Sequence, residues 1–269
     1  MKVSILMSTY NGEVYLNEQL DSIIAQSFPA WELYIRDDGS TDSTIDIIET
    51  YCQIDPRIKL LQDNCKHIGP KKSFLWLLEH VESDYYLFCD QDDVWDTQKV
   101  LYSYNAIEKI PKERPALAVT DLLLVDKNLN TLQSSMWKAH KINNLTHNKN
   151  GLVIASMFPG CSMIFNRAVR DLVIKESFDF PMHDIKISFV TKRNGGVIIP
   201  IDIPLIKYRQ HPQNVIGLYS GGNILLHKLK QFANTYKENL KYYKIVHQYL
   251  YVSPIRYILL KVYHLLGII

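Results

Sequence analysis

The sequence predicts an α/β fold: a mostly parallel sheet flanked by helices, followed by a helical C-terminal tail. Three observations predict it. Apolar strand-like runs alternate with helical apolar spacing through the first ninety residues. Polar clusters rich in Asp, Asn and Gly follow three of those runs, at Ser8–Gly12, Asp37–Ser40 and Asp90–Asp93. The composition then shifts in residues 224–269, which hold seven Lys/Arg, one acid and seven tyrosines.

Each element has its own warrant. The run over residues 3–8 reads as a buried strand. Leu16, Leu20, Ile23 and Ile24 recur at i, i+4, i+7 and i+8, one apolar face of a helix. Glu32–Arg36 reads as a second strand and stops at Asp37-Asp38-Gly39-Ser40, a turn that also supplies a helix cap. The next helix carries Ile45 and Ile48 on one face, and Ile58–Leu61 is a short third strand. Phe74, Leu77, Leu78 and Val81 repeat the helical spacing before a fourth strand, Tyr85–Cys89. This alternation calls for right-handed crossovers and parallel pairing. Ligands of such sheets bind beyond the carboxyl ends of the strands, so the three polar clusters are expected to converge on one crevice.

Downstream the pattern loosens. Ala116–Val125 reads as a strand, residues 126–150 as a polar loop, and Ser162–Phe165 as a short strand after Pro159-Gly160-Cys161. Val197–Ile201 and Leu205–Tyr208 read as separate late strands. No internal repeat or low-complexity segment is found.

Composition excludes several classes. Of the 269 residues 47% are apolar and 22% charged, which permits a sizeable core and argues against disorder. A net charge of +2 argues against a dedicated nucleic-acid binder. Cys52, Cys65, Cys89 and Cys161 form no CxxC pair, as expected of reduced thiols in the cytoplasm. No basic-then-apolar leader is expected at the start, and no apolar run reaches the ~20 residues that span a bilayer. No GxGxxG follows the first strand and no GxxxxGK[ST] occurs, which excludes dinucleotide and P-loop sites. A sugar nucleotidyltransferase calls for a Gly-rich basic first loop, whereas residues 8–13 hold one Gly and no basic residue.

Asp90, Asp92 and Asp93 put three carboxylates within four residues. A divalent cation would relieve their repulsion, and carboxylate oxygens suit Mg²⁺ or Mn²⁺. Taken alone, the cluster is equally a solvated turn near Trp95, and Asp37-Asp38 alone reads first as a helix cap and turn.

Together the segments are more specific. Ser8-Thr9-Tyr10-Asn11-Gly12, Arg36-Asp37-Asp38-Gly39-Ser40-Thr41-Asp42 and Cys89-Asp90-Gln91-Asp92-Asp93-Val94-Trp95 resemble the family 2 glycosyltransferases. The resemblance continues through Gly160–Asn166, Met182-His183-Asp184 and Tyr208–Asn214, covering roughly residues 1–220. The last of these is similar to the closing segment of bacterial polysaccharide rhamnosyltransferase-like members. One departure is the His-Asp pair at 183–184, where the family more commonly has Glu-Asp.

The resemblance implies the glycosyltransferase-A fold, with a Rossmann-like sheet. It implies a catalytic domain over residues 1–220, nucleotide-binding to about residue 95 and acceptor-binding from about 96, with a tail over 221–269. It implies that Thr9, Tyr10, Asn11, Asp37, Asp38, Lys71, Asp90, Gln91, Asp92 and Arg209 bind the nucleotide sugar. Asp90 and Asp92, with His211, would hold Mn²⁺ or Mg²⁺, and Asp184 would be the general base. Gly160, Cys161, His183 and Trp95 would face the acceptor.

The implied reaction is a single inverting displacement from a nucleotide diphosphate sugar onto a glycan or lipid-linked acceptor in surface polysaccharide synthesis. L-Rhamnose from dTDP-L-rhamnose is favoured, with a UDP-hexose or a non-catalytic sugar-nucleotide-binding partner as alternatives. Residues 224–269 carry a net +6, leaving −4 for the rest. The expectation is a cytoplasmic enzyme whose basic, aromatic tail lies on the anionic inner face of the cell membrane. The competing expectation is a tail packed on the body or on a second subunit, as in a homodimer. No nucleic-acid partner is expected.

Overall fold

The computed structural model describes residues 2–156, 158–211 and 240–266. Pro212–Asn214 and the tail residues Lys228, Lys230 and Lys237, singled out in the sequence, lie outside the described residues.

The first half follows the expected order. β1 (Val3–Thr9), β2 (Trp31–Asp37), β3 (Ile58–Leu61) and β4 (Tyr85–Cys89) pair in parallel as β3-β2-β1-β4. The connections carry α1 (Leu16–Ile24), α2 (Thr44–Ile54) and α3 (Gly69–His80). Val3, Ile5, Leu6 and Met7 of β1 are fully buried, as in a strand covered on both faces. Leu16, Leu20 and Ile23 bury the predicted face of α1, each worth roughly 1.5–3 kcal/mol.

The second half is mixed. It contains β5 (Val94–Trp95), α4 (Lys99–Ile107), β6 (Ala116–Val125), β7 (Thr131–Gln133) and α5 (Met136–Ala139). After α6 (Asn143–Thr146) and α7 (Gly151–Ile154) come β8 (Met163–Asn166), α8 (Arg167–Lys175), α9 (His183–Arg193) and β9 (Val197–Arg209). The sheet continues as β4-β8-β6-β9-β5, with β7 beside β6. β8 runs antiparallel to both β4 and β6, so parallel pairing describes the first half and one later pair, β6 with β9.

The two late strands of the sequence are one, β9. Pro200 and Pro204 cannot donate to a ladder, and the pairing with β6 shifts register around Asp121. The 126–150 segment is more ordered than a polar loop. Asp121 accepts from Ser135 Oγ and the Trp137 amide, which seats Met136 and Trp137 in the core.

The chain divides into two compact units, residues 1–140 with 158–209, and residues 141–157 with 210–269. The sequence placed the boundary near residue 220 and kept 141–157 with the body. In the second unit the short α7 needs a cover for Leu152, Val153 and Ile154. That cover comes from helical residues 240–250, where the Tyr242 hydroxyl donates to the Leu152 carbonyl, and from α10 (Pro254–Leu265). Ser253 caps α10, its Oγ accepting from the Arg256 amide at 3.3 Å. Among the described residues, no helix is long and apolar enough to cross a membrane.

Candidate active site

The carboxyl ends of β1, β2 and β4 converge as the strand order requires. Gln91 ties β4 to β1, its Oε1 accepting from the Tyr10 amide at 2.8 Å and its Nε2 donating to the Tyr10 carbonyl at 3.0 Å. Thr9 Oγ1 donates to Asp37 Oδ1 at 2.9 Å. Asp37 Oδ2 accepts from the Gly39 and Ser40 amides at 2.9 and 2.7 Å. Asn11 adopts φ 47°, a left-handed conformation that Asn tolerates. There its Oδ1 accepts from the Thr41 amide and its own amide donates to Ser40 Oγ. The Tyr10 ring is 48% exposed and meets the His67 ring edge-on at 5.5 Å.

Beneath this rim lies Arg36, buried at the end of β2. Its guanidinium donates to Asp63, to Asp38 Oδ1 at 2.9 Å, to Ser73 Oγ and to the Cys65 carbonyl. Asp38 in turn accepts from the Ile68 and Gly69 amides at 2.9 and 2.8 Å. Burial alone would push the Asp38 carboxyl up, but Arg36 and those two amides outweigh it and hold it below the usual range. Asp38 therefore fixes the 62–69 loop. Removing one partner of a buried pair leaves the other charge unpaired. Arg36→Met is accordingly expected to cost about 3–5 kcal/mol in urea unfolding. Arg36→Lys should recover little, because one ammonium cannot reproduce the fork of donors.

The acidic turn after β4 is divided in two. Asp93 is fully buried; its Oδ1 accepts from the Arg209 amide at 3.1 Å, and its Oδ2 has no hydrogen-bond partner. Oxygens of Asp90 and Asp93 and the Cys161 Sγ lie within 4.8 Å of one another. Asp90 and Asp92 are half-buried. Burial first, then the charges of Asp92 and Asp184, push the Asp90 carboxyl up to about 7. Asp184 sits in the first turn of α9, where Oδ1 accepts from the Ile185 amide at 2.7 Å. Burial pushes its carboxyl up to about 6, against the amides of Ile185 and Gly160.

Carboxylate oxygens fit Mg²⁺ or Mn²⁺, and a thiol does not. The carboxylates that lie together in that cluster are Asp90 and Asp93, and Asp93 keeps one oxygen without a hydrogen-bond partner. The repulsion that lifts Asp90 is what such a cation would relieve.

Several expected site residues are placed differently. The Arg209 side chain is 1% exposed, and its guanidinium donates to the carbonyls of Asp92 and Lys127 and to Glu18. It braces the acidic turn instead of reaching into a crevice. Lys71 Nζ donates to Asp179 and to the Phe180 carbonyl at 2.6 and 2.8 Å, tying α3 to the approach to α9. His211 belongs to the second unit. Gly160, Cys161, His183 and Trp95 are all buried and have little side-chain surface for an acceptor. The His183 ring stacks on Phe74 at 4.3 Å with both nitrogens unpartnered, and burial depresses its pKa to about 3. Gly160 is required there, since a Cβ would fall 2.6 Å from His183 Nε2. Met182 is the N-cap of α9, and Asp184 lies inside its first turn.

Three residues were missed. Arg36 and His67 carry no sequence signal beyond an ordinary strand arginine and loop histidine. Lys99 is fully buried, its Nζ unpartnered and 4.8 Å from the Trp95 ring centroid. Burial lowers its pKa to about 8, opposed by Cys161, Cys89 and Asp93.

Comparison with known proteins gives a consistent outcome. The family model for glycosyl transferase family 2 matches residues 4–173. The dTDP-rhamnosyl transferase RfbG of Shigella flexneri is 30% identical over 236 residues, which cover 78% of this chain and 73% of that one. Two solved structures share the fold. Staphylococcus aureus TarS residues 1–349 in complex with UDP-GlcNAc superpose with TM-score 0.60 at 22% identity, over 80% of this chain and 60% of that one. The mannosyltransferase PcManGT of Pyrobaculum calidifontis, in complex with GDP-Man and Mn²⁺, gives 0.62 at 16%, over 79% and 58%.

Proposed function

The chain belongs to glycosyl transferase family 2, a transferase of glycosyltransferase-A fold, and from that premise we propose that it moves L-rhamnose from dTDP-L-rhamnose to a glycan or lipid-linked acceptor, with inversion, in bacterial surface polysaccharide synthesis. The observation that carries this reading is the convergence of Thr9, Asp37 and Asp90 at the carboxyl ends of the adjacent parallel strands β1, β2 and β4. The likeness to RfbG supports the choice of sugar.

In this reading Asp37, held in place by the buried Thr9 hydroxyl, meets the nucleoside, and the exposed Tyr10 ring offers it a face to stack on. Asp90 and Asp92 hold Mn²⁺ or Mg²⁺, which when bound neutralises charge on the diphosphate leaving group. Asp184 takes the proton of the acceptor hydroxyl as its oxygen attacks the anomeric carbon. The bond to the diphosphate breaks as the new glycosidic bond forms, and one displacement inverts the centre. A carboxyl raised to about 6 is still ionised at neutral pH and is a stronger base than an ordinary one. Such an enzyme works in the cytoplasm, at the membrane when its acceptor is lipid-linked.

The test is thermal unfolding with dTDP-L-rhamnose, UDP-glucose, UDP-galactose, UDP-N-acetylglucosamine and GDP-mannose, each with and without Mn²⁺. The expected result is a selective, Mn²⁺-dependent gain with dTDP-L-rhamnose, about 2.7 kcal/mol at a hundred times Kd. A selective response to a uridine donor would replace the sugar assignment with a UDP-hexose. No response to any donor would overturn the proposed chemistry.

A further inference from the structure

We propose that the outward face of α10 docks in the plane of an anionic lipid surface, an inference that deepens the reading of a lipid-linked acceptor. Ile255, Ile258, Leu259, Val262, Tyr263 and Leu266 recur at i, i+3, i+4, i+7, i+8 and i+11, a continuous helical stripe. All six are exposed, by 41% to 73%. The opposite face holds the helix in its unit: Tyr257 is buried, and its ring meets Tyr243 at 5.0 Å. The stripe is therefore left outside the unit's core while the helix itself is fixed.

Charge identifies the occupant. Residues 240–269 contain Lys241, Lys244, Arg256 and Lys261 and no Asp or Glu. At about 100° per residue, exposed Arg256 falls just beyond Tyr263 on one margin of the stripe, while half-buried Lys261 lies towards the opposite face, its Nζ 5.7 Å from the Tyr257 ring centroid. An apolar stripe edged by Arg256, on a segment that carries bases and no acid, matches acyl chains beneath anionic headgroups, with Tyr263 at the boundary. A second copy of this chain fits poorly, because residues 240–269 offer no acid to pair with the basic side chains of another copy across a two-fold contact. The helix is about 18 Å long, short of the ~30 Å hydrocarbon core, so it lies in the surface and does not span it.

The test is flotation of the full chain with vesicles of phosphatidylcholine, alone or mixed with about one-third phosphatidylglycerol. The chain is expected to float with the mixed vesicles, weakly with phosphatidylcholine alone, and less at high salt. The double variant I258E/V262E should bind the mixed vesicles at least about tenfold less while keeping its melting temperature. No flotation with the mixed vesicles, or flotation that the double variant leaves intact, overturns the proposal. A dimer by light scattering that the double variant splits also overturns it and gives the face to a second copy. Donor-dependent thermal shifts are read without vesicles, so failure of the sugar-transfer reading is seen separately.

Discussion

Asp184→Asn is expected to lower the rate of sugar transfer about a thousandfold, within the range that a positioned general base supplies. Donor affinity should stay within about twofold, since the substitution keeps the acceptor oxygen that meets the Ile185 amide and removes only basicity. Single-turnover transfer and donor titration, measured side by side, separate the two effects. The pH profile adds a sign. Burial raises the Asp184 carboxyl to about 6, so the ionised base is present above that value and is lost as pH falls through it. With metal saturating, kcat/KM should fall about tenfold per pH unit below the limb near 6. At low metal a second limb should emerge near 7, where Asp90 takes a proton. An Asp184→Asn enzyme that turns over at the wild-type rate would assign the base elsewhere.

How far this site was legible depends on where each signal lives. The convergence of Thr9, Asp37 and Asp90 could be read because each polar cluster ends a strand whose apolar run is itself clear, and a parallel sheet brings such ends together. Which carboxylate faces outward could not. The choice between Asp92 and Asp93 turns on Arg209, whose amide reaches Asp93 from 116 residues away. Arg36 looked like an ordinary strand arginine, and its burial depends on Asp63 in a different loop. Buried His183 departs from the expectation that it faces the acceptor, and the burial of Lys99 has no local sequence signal. The antiparallel β8 was beyond local reading for a similar reason. Four residues, Met163–Asn166, find both neighbours in distant segments. The grouping of residues 141–157 with the tail likewise rests on a contact between Tyr242 and Leu152 that no local pattern announces.

Asp90→Asn is expected to do two opposite things: raise the stability of the metal-free protein and abolish metal-dependent donor binding. In the folded chain the Asp90 carboxyl sits at about 7 against an ordinary 3.8, through burial and the charges of Asp92 and Asp184. Between those values the folded state holds the proton that the unfolded state has lost, so stability falls as pH rises from about 4 to 7. At neutral pH the ionised group is therefore a cost, about 4 kcal/mol at face value. Asp90 is half-buried, and solvent screening reduces this to about 1–2 kcal/mol. A neutral Asn removes it. The metal-free variant should melt about 3–6 °C above wild type at pH 7.5, with the gap closing towards pH 4. Adding Mn²⁺ and donor should invert the order, since wild type gains binding energy that the variant cannot. The crossing of the two melting orders separates a carboxylate kept for metal from one kept for folding. If the metal-free variant instead melted below wild type, Asp90 would be a structural acceptor, and the divalent cation would have to be assigned to other oxygens.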